Sequence, residues 1–326
     1  MSDYALTRAD LEKAAALVHA QMPATPQHSW PLLNERAGFD IVVKHENHTP
    51  AGAFKIRGGI TFMDWLTREH PRIRGIVTAT RGNHGQSQAR AATAAGLTAT
   101  VVVPHGNSRE KNAAMRAFGA ELIEHGQDFD VAKEEAHRLA RERDLFFVPP
   151  FHPALVPGVA TYWHELFTAE PGLDVAYVPI GCGSGICAGI LTRDALGLKT
   201  RIVGVVSENA QTAKLSAEAG RPVETDSADT FADGMAVRVP VAEALAIYSK
   251  GAERIVTVSD DEVAGAVRSY YTDTHNLAEG AGAAPLAAAL QERERNQGRR
   301  VGVILCGGNI DADKFAAILA GETPTP

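Results

Sequence analysis

Cysteine is scarce in this sequence, with three residues in 326, and Cys182, Cys187 and Cys306 all lie in apolar or glycine-rich runs. They do not suggest a disulfide framework, so we expect a reducing, cytoplasmic environment. Basic residues are not in excess either, since the net charge is −7, which argues against a nucleic-acid-binding surface. No apolar run approaches the length of a membrane span, and the N-terminal segment lacks the apolar core of a signal peptide. These absences predict a soluble intracellular protein.

Recognised metal and nucleotide motifs are also missing. Cys182 and Cys187 have no histidine at a metal-ligand spacing, and His164-Glu165 is not part of an H-E-x-x-H sequence. The glycine-rich stretch GCGSG at 181–185 lacks the Lys-Ser/Thr of a P-loop and the spacing of a dinucleotide fingerprint. We therefore expect no metal site and no nucleotide site of these types.

What the sequence does contain is a regular alternation of β-branched apolar runs with helical patterns. Such alternation predicts parallel sheets that are covered by helices on both faces. Because nothing repeats and the strands are too many for one compact sheet, we predict an α/β fold with two parallel-sheet domains and a site between them. The predicted large domain comprises residues 1–74 and 151–326, and the small domain comprises residues 75–150. Prolines predict an extended chain between Pro23 and a strand at 40–44, and 218–238 is predicted to be a loop near the site.

Three predicted strands end in glycine-rich turns, and doubly wound sheets bind ligands at such strand ends. GCGSG at 181–185 leads straight into a helix, whose N-terminal amides suit a phosphate; the alternative is a plain strand–helix turn. TRGNHG at 80–85 suits a carboxylate, and Asn83 could donate to a ring hydroxyl. We interpret His84 as a structural hydrogen-bonding residue rather than a catalytic one. In CGGN, Cys306 either faces a ring nitrogen or is a buried structural cysteine.

The segment KHENHTPAGAFKIRGG, residues 44–59, delivers a lysine to the start of a predicted helix. Pro50 and Gly52 break the preceding chain, and the large apolar neighbour Phe54 predicts that Lys55 points inward. Enclosure disfavours the ammonium form of a lysine and frees its amine to act as a nucleophile or base. A lysine that forms an imine needs this property. The alternative is an ordinary lysine in the first turn of a helix.

Together these segments resemble the fold-type II pyridoxal-phosphate enzymes, which have a tryptophan synthase β-like fold, and closely the serine/threonine dehydratase and serine racemase group. TPAGAFKIRGG is similar to the family's lysine motif, RGNHGQS to its substrate-carboxylate loop and GCGSG to its phosphate loop. FADGMAV resembles its Ala-Asp-Gly segment, AEGAGAA its glutamate-containing turn and LCGGNID its ring-nitrogen motif. The six motifs occur in the family's order through nearly the whole chain.

The resemblance implies that pyridoxal 5'-phosphate is held as a Schiff base of Lys55, with Phe54 near the ring. It implies that Asn83 bonds the ring hydroxyl, that Glu279 belongs to the cofactor site and that Cys306 faces the ring nitrogen. A neutral thiol does not hold that nitrogen protonated, which favours loss of a β-hydroxyl over reactions that need a long-lived carbanion. The phosphate would be wrapped by Gly181, Cys182, Gly183, Ser184 and Gly185. The substrate would be bound by Thr80, Arg81, Gly82, Asn83 and His84.

Two positions depart from the family pattern. Arg81 stands where the racemases have a serine as second acid/base, and because arginine hardly deprotonates, racemisation is disfavoured. Arg81 could instead bind a carboxylate or another group on the substrate's β-carbon, or it points away from the substrate. Where cation-binding members have an acidic pair, this chain has Glu208 and Lys214, so no metal is expected. Because the chain stops soon after LCGGNID, we expect neither a regulatory domain nor feedback control by isoleucine.

The resemblance therefore implies a dehydratase (ammonia-lyase) of amino-acid catabolism that converts a β-hydroxy amino acid to a 2-oxo acid and ammonia. Candidate substrates are threonine, serine, 3-hydroxyaspartate and phenylserine, and Arg81 favours the bulkier or acidic ones. The alternatives are an amino-acid racemase or β-replacement enzyme of the same fold, and a non-catalytic small-molecule-binding protein. The resemblance also implies a homodimer, and we expect no nucleic-acid or membrane partner.

Overall fold

The strands form two separate sheets in the computed structural model, which describes residues 4–127 and 129–326. The strands of these residues are β1 (Gln27–Ser29), β2 (Asp40–His45), β3 (Gly75–Ala79), β4 (Thr98–Val103), β5 (Ala120–Glu124), β6 (Phe146–Phe147), β7 (Val175–Pro179), β8 (Arg201–Ser207), β9 (Arg254–Val258) and β10 (Arg300–Leu305). The larger sheet has the order β1-β2-β10-β7-β8-β9, and the smaller one β5-β4-β3-β6. Only β1 runs antiparallel to its neighbour among these strands. The predicted α/β fold with two parallel sheets is confirmed, and the domain boundaries stay a prediction.

Helices cover both sheets. Those of the described residues are α1 (Arg8–His19), α2 (Pro31–Ala37), α3 (Lys55–Glu69), α4 (Asn83–Ala94), α5 (Arg109–Ala117), α6 (Phe129–Glu142), α7 (Val156–Ala169), α8 (Ser184–Leu196), α9 (Thr212–Ala219), α10 (Ala242–Gly251), α11 (Asp260–Thr274), α12 (Gly280–Gln291), α13 (Arg293–Asn296) and α14 (Ala312–Leu319). None of these helices is long and apolar enough to cross a bilayer.

One stretch differs from the sequence-based expectation. The chain between Pro23 and residue 40 is not simply extended, because it contains the short strand β1 and the helix α2. Pro31 is the first residue of α2, where the missing N–H of proline removes no intrahelical hydrogen bond. The expectation was wrong because proline at this position starts a helix. The segment 218–238 has only one short 3₁₀ turn beyond the end of α9, Asp233–Met235.

A buried group of four charges lies beneath the N-terminal turn of α3. Arg57 donates from Nε to Glu46 Oε2 at 2.7 Å and from Nη1 to Glu165 Oε1 at 2.6 Å. Lys44 donates from Nζ to the other oxygen of Glu165 at 2.6 Å. Two cations and two carboxylates balance, so burial leaves no uncompensated charge. The group ties α3 to strand β2 and helix α7, and it thereby sets the position of Lys55, the first residue of α3.

Helix α8 is anchored to α7 at its first turn. The indole Nε1 of Trp163 donates to the backbone carbonyl of Gly185 at 2.9 Å. Trp163 is fully buried and stacks on Tyr162 with 5.3 Å between the ring centroids. The glycine-rich turn that precedes α8 is therefore attached to the core of the larger sheet.

Candidate active site

A cavity of about 610 Å³ lies where strand ends of both sheets converge. The turns that follow β3, β7 and β10 all contribute to its wall. Every residue that the sequence singled out for cofactor or substrate lines this cavity: Phe54, Lys55, Thr80, Arg81, Gly82, Asn83, His84, Gly181, Cys182, Gly183, Ser184, Gly185, Glu279 and Cys306. The fold thus brings residues more than 250 positions apart in sequence to one place, and their individual roles stay predictions.

Lys55 extends into the cavity from the first position of α3. Its Nζ donates to Ser184 Oγ at 3.0 Å and lies 4.9 Å from the centroid of the Phe54 ring. Among the described residues no carboxylate pairs with this amine. Burial removes the ammonium from water and lowers the pKa of Lys55. Burial therefore favours the uncharged form of this amine.

The turn that carries Lys55 is hydrogen-bonded to the segment that follows β10. The backbone N–H of Phe54 donates to the carbonyl of Cys306, and that of Gly308 donates to the carbonyl of Gly52, both at 2.9 Å. Gly52 has φ +67°, and a Cβ there would lie 2.4 Å from Oδ1 of Asn309. Only glycine satisfies both conditions. The lysine turn and the last glycine-rich turn therefore form one structural unit.

The turn at 181–185 presents the N-terminus of α8 to the cavity. Gly183 is the N-cap residue with φ +95°, and no side chain caps the first amides of this 13-residue helix. Uncapped amides at a helix N-terminus carry partial positive charge and bind anions. Because the Lys55 amine bonds to Ser184, the same end of the cavity holds a buried amine and a turn with uncapped helix amides.

Asn83, at the first position of α4, belongs to a polar group that joins the two sheets. Its Nδ2 donates to Glu279 Oε1 at 2.6 Å. The other oxygen of Glu279 lies 3.7 Å from Lys111 Nζ, and Lys111 also pairs closely with Asp233. Burial raises the pKa of Glu279 to about 7, although Lys111 opposes the shift. Burial disfavours the ammonium of Lys111, but Asp233 and Glu279 outweigh it and raise its pKa to about 12.

Three further predicted residues have distinct environments. Cys306 is buried, and burial together with Glu279 raises the pKa of its thiol well above the usual range, so the thiol is neutral. His84 is buried, and burial together with Lys55 lowers its pKa to about 3, so the ring is neutral. Its Nε2 has no hydrogen-bond partner among the described residues. Arg81 is exposed on the cavity wall, where its side chain is available to a ligand.

Sequence reasoning missed part of the wall. Lys111 lies in α5 and reads as a solvated helix lysine, but it lines the cavity with Asp233. On the small-sheet side Lys133 contributes, and Asp130 pairs with Arg238 of the opposite wall at 2.6 Å. FADGMAV contains Asp233, yet nothing local to either segment indicates that it meets Lys111.

Metal ligands are not assembled in the part of the chain that the structure describes, where no three His, Cys, Asp or Glu side chains are placed to hold an ion. Lys214, at the position of a family carboxylate, pairs instead with Glu218 at 2.5 Å.

Comparisons with known proteins give one consistent result. The sequence profile of the family described as "Pyridoxal-phosphate dependent enzyme" matches residues 20–307. The biosynthetic L-threonine dehydratase of Pasteurella multocida is 33% identical over 291 residues, or 88% of this chain, which spans only 56% of that protein's length. The L-threo-3-hydroxyaspartate ammonia-lyase of Saccharomyces cerevisiae is 29% identical over 321 residues, 98% of either chain. A crystal structure of a pyridoxal 5'-phosphate-dependent aspartate racemase has a TM-score of 0.90 at 27% identity and covers 97% of this chain and 99% of that one.

Proposed function

The chain belongs to the family of pyridoxal-phosphate-dependent enzymes, and from that premise we propose that it is an ammonia-lyase for β-hydroxy amino acids. The reaction converts the substrate to a 2-oxo acid and ammonia. Relatives named threonine dehydratase and 3-hydroxyaspartate ammonia-lyase support this activity. The observation that carries the proposal is the Lys55 amine, which has a lowered pKa and bonds to Ser184 at the anion-binding turn.

Three features support the fit of pyridoxal phosphate in the cavity. The uncapped amides at the start of α8 are a donor set for a phosphate, with Gly181 to Gly185 on the wall. Lys55 supplies the amine that the cofactor's aldehyde requires. The Asn83 amide and the neutral Cys306 thiol supply partners for a ring hydroxyl and a ring nitrogen. We propose that these residues hold the cofactor, with Phe54 and Glu279 beside them.

The chemistry divides between the cofactor and the chain. When bound, pyridoxal phosphate supplies an electron sink that stabilises negative charge at the α-carbon of an amino acid. Lys55 Nζ accepts the proton from that carbon, a role that is favoured by the burial that lowers its pKa. The segment Thr80–His84 holds the substrate's carboxylate, with the amides at the start of α4 as donors. The α-proton and the β-hydroxyl leave as water, and the dehydrated product hydrolyses to the 2-oxo acid and ammonia.

A racemase or β-replacement enzyme of the same fold is the alternative. Racemisation needs a second acid/base on the face opposite the lysine. We propose that this position holds Arg81, whose guanidinium stays protonated and is a poor proton shuttle. Chiral analysis of the recovered amino acid and a sulfide-acceptor assay separate these activities from the lyase. A non-catalytic binding protein would turn over none of the substrates.

The decisive experiment is a 2-oxo-acid assay over threonine, serine, 3-hydroxyaspartate and phenylserine in both β-configurations. We expect turnover of at least one, abolished in Lys55→Ala and unchanged in Lys250→Ala, an exposed lysine of α10. Thermal melting of the cofactor-free proteins checks that both variants fold. Absence of turnover with the whole panel by a cofactor-loaded, folded protein would refute the ammonia-lyase assignment.

We further propose that residues 1–74 with 151–326 and residues 75–150 are two domains, and that the protein is a cytoplasmic homodimer. The separate sheets support the first proposal, and the three free cysteines are consistent with a reducing compartment. Light scattering coupled to size-exclusion chromatography tests the dimer, which a monomer mass of 34.6 kDa would contradict.

A further inference from the structure

The side-chain amide of Asn83 is held at both of its ends. On one side its Nδ2 donates to Glu279 Oε1 at 2.6 Å. On the other side its Oδ1 accepts from Asn309 Nδ2 at 2.8 Å. The two neighbours come from the turn before α12 and from the turn after β10, so both belong to the larger sheet. Asn83 belongs to the first turn of α4, next to the smaller sheet.

The orientation of the Asn83 amide follows from a neighbouring group that can only accept a hydrogen bond. Asn309 Nδ2 also donates to the backbone carbonyl of Ala51 at 2.9 Å, and a carbonyl can only accept. The nitrogen of Asn309 must therefore lie on this side, which leaves Asn83 to offer its oxygen there. The carboxyl oxygen of Glu279 then takes one N–H of Asn83. A second N–H of Asn83 remains for a ligand in the cavity that Asn83 lines.

We propose that Asn309 is a positioning residue that, together with Glu279, makes Asn83 present a donor and not an acceptor to the cofactor. The inference rests on the family's cofactor and on the proposed contact of Asn83 with the ring hydroxyl, and not on any particular substrate. Neither the sequence motifs nor the comparisons assign a role to Asn309.

Asn309 also links Asn83 to the turn that carries Lys55. Its Nδ2 bonds to Ala51, and its Oδ1 fills the space where a Cβ of Gly52 would lie, 2.4 Å away. In pyridoxal the hydroxyl is ortho to the aldehyde carbon, so the donor to the oxygen and the lysine that reacts with the aldehyde must be held in register. The Asn309 amide contacts both Asn83 and the turn that carries Lys55, and it therefore keeps the two in register.

The test is a polarity reversal. Asn309→Asp keeps the shape but replaces the donor by an acceptor, so the Asn83 amide turns to donate to it and points its oxygen toward residue 279. The double variant Asn309→Asp/Glu279→Gln restores a partner for that oxygen, because the glutamine amide donates. Asn34→Asp is the matched control, since Asn34 Nδ2 likewise donates to one side, Ser29 Oγ at 2.8 Å, and its Oδ1 accepts on the other, and Asn34 is not one of the residues that line the cavity.

Three quantities are measured: the thermal midpoint of the cofactor-free protein, the apparent Kd for pyridoxal phosphate, and the pH midpoint of the visible band of the bound cofactor. For Asn309→Asp we expect the Kd to rise about tenfold, the size of one lost hydrogen bond. We expect the pH midpoint to move upward by about one unit, because a donor stabilises an ionised ring oxygen and an acceptor does not. The double variant should regain the part of the thermal stability that the unpartnered Asn83 oxygen costs, but not the part lost with the bond to Ala51, while Kd and pH midpoint stay shifted.

Two results would overturn the inference. Asn309→Asp could bind the cofactor with the wild-type Kd and pH midpoint, or all three quantities could recover together in the double variant, as a purely structural role predicts. Asn34→Asp should change only the thermal midpoint. If the wild type binds the cofactor but turns over no β-hydroxy amino acid, the proposed function fails while the role of Asn309 is still tested.

Discussion

Helix α8 has a glycine at each end, and the two glycines provide a matched pair of perturbations. Gly183 at the N-cap has φ +95°, and a Cβ there would lie 2.6 Å from Cβ of Ala244. Gly197 at the C-cap has φ +66°, and no described atom lies within 4 Å of its Cβ position. Alanine at either site incurs the strain of the left-handed region, but only at Gly183 does it also collide with a neighbouring helix.

The expected costs follow from these two terms. Left-handed backbone costs an alanine about 1 kcal/mol, which is the whole cost at Gly197. At Gly183 the overlap with Ala244 adds about 1–3 kcal/mol for overpacking. For a chain of this length each kcal/mol lowers Tm by roughly 2 °C. We therefore expect Gly197→Ala to lower Tm by about 2 °C and Gly183→Ala by about 4–8 °C.

The functional consequence separates the two sites further. In Gly183→Ala the displaced turn moves amides that we propose to bind the cofactor's phosphate. Loss of one charge-assisted hydrogen bond to that phosphate weakens cofactor binding by about 10- to 100-fold. Tm of the cofactor-free proteins and the Kd for pyridoxal phosphate, from titration of the visible band, are the measurements. Equal Tm losses at both sites, or a wild-type Kd in Gly183→Ala, would refute the reasoning about this turn.

Three further outcomes are expected. If Arg81 contacts a carboxylate on the substrate's β-carbon, Arg81→Met raises KM for 3-hydroxyaspartate about tenfold and leaves KM for serine nearly unchanged. Arg81→Lys should have an intermediate KM for 3-hydroxyaspartate. An equal change in both KM values would show that Arg81 makes no such contact. Glu165→Gln leaves Arg57 and Lys44 short of one carboxylate and destabilises the protein by about 3–5 kcal/mol in thermal melts at pH 7, whereas the exposed Glu218→Gln has little effect. Burial would raise the pKa of Glu165, but Arg57 and Lys44 lower it to about 2, so its contribution is present above its ordinary value of 4.5 and is lost as pH falls toward 2. In the cofactor-free protein Glu279 behaves oppositely, because its pKa is raised to about 7: its contribution to stability is present below pH 4.5 and is lost as pH rises through 7. The Tm of Glu279→Gln should therefore rise relative to that of the wild type between pH 5 and 8. A Tm difference that stays constant over this range would contradict the raised pKa.

The parts of the site that were predictable from the sequence are those in which chemistry and backbone signal coincide locally. GCGSG, TRGNHG and CGGN each combine glycines with a strand end, so a turn and its ligand-facing residues are read together. Lys55 was readable because Pro50 and Gly52 fix a turn immediately before a helix start. Each of these signals lies within a few neighbouring residues, so the local sequence is enough to predict the turn.

What could not be predicted depends on contacts between distant segments. Lys111 and Asp233 are 122 positions apart, and Asn83 and Asn309 are 226 apart. A helical lysine between polar neighbours looks the same whether it faces solvent or a buried carboxylate, because only tertiary packing decides which. The helix α2 was missed for a local reason instead, since Pro31 was taken to prolong an extended chain although proline is favoured at the first helical position.

The distribution of charge around the cavity supports Lys55 as the lysine that we propose to react. Three ionisable groups beside the Lys55 amine are neutral near pH 7, because burial raises the thiol pKa values of Cys182 and Cys306 and lowers that of His84 to about 3. Glu279 raises the pKa of Lys55, but burial of the amine outweighs it. The carboxylate of Asp233 is engaged with Lys111, whose pKa rises to about 12. The fold thus pairs Lys111 with a carboxylate, whereas among the described residues no carboxylate pairs with Lys55. An amine that is buried without a counter-charge gives up its proton more easily than an exposed lysine. We therefore attribute the reactivity proposed for Lys55 to where the carboxylates are placed, and not to any property of the lysine itself.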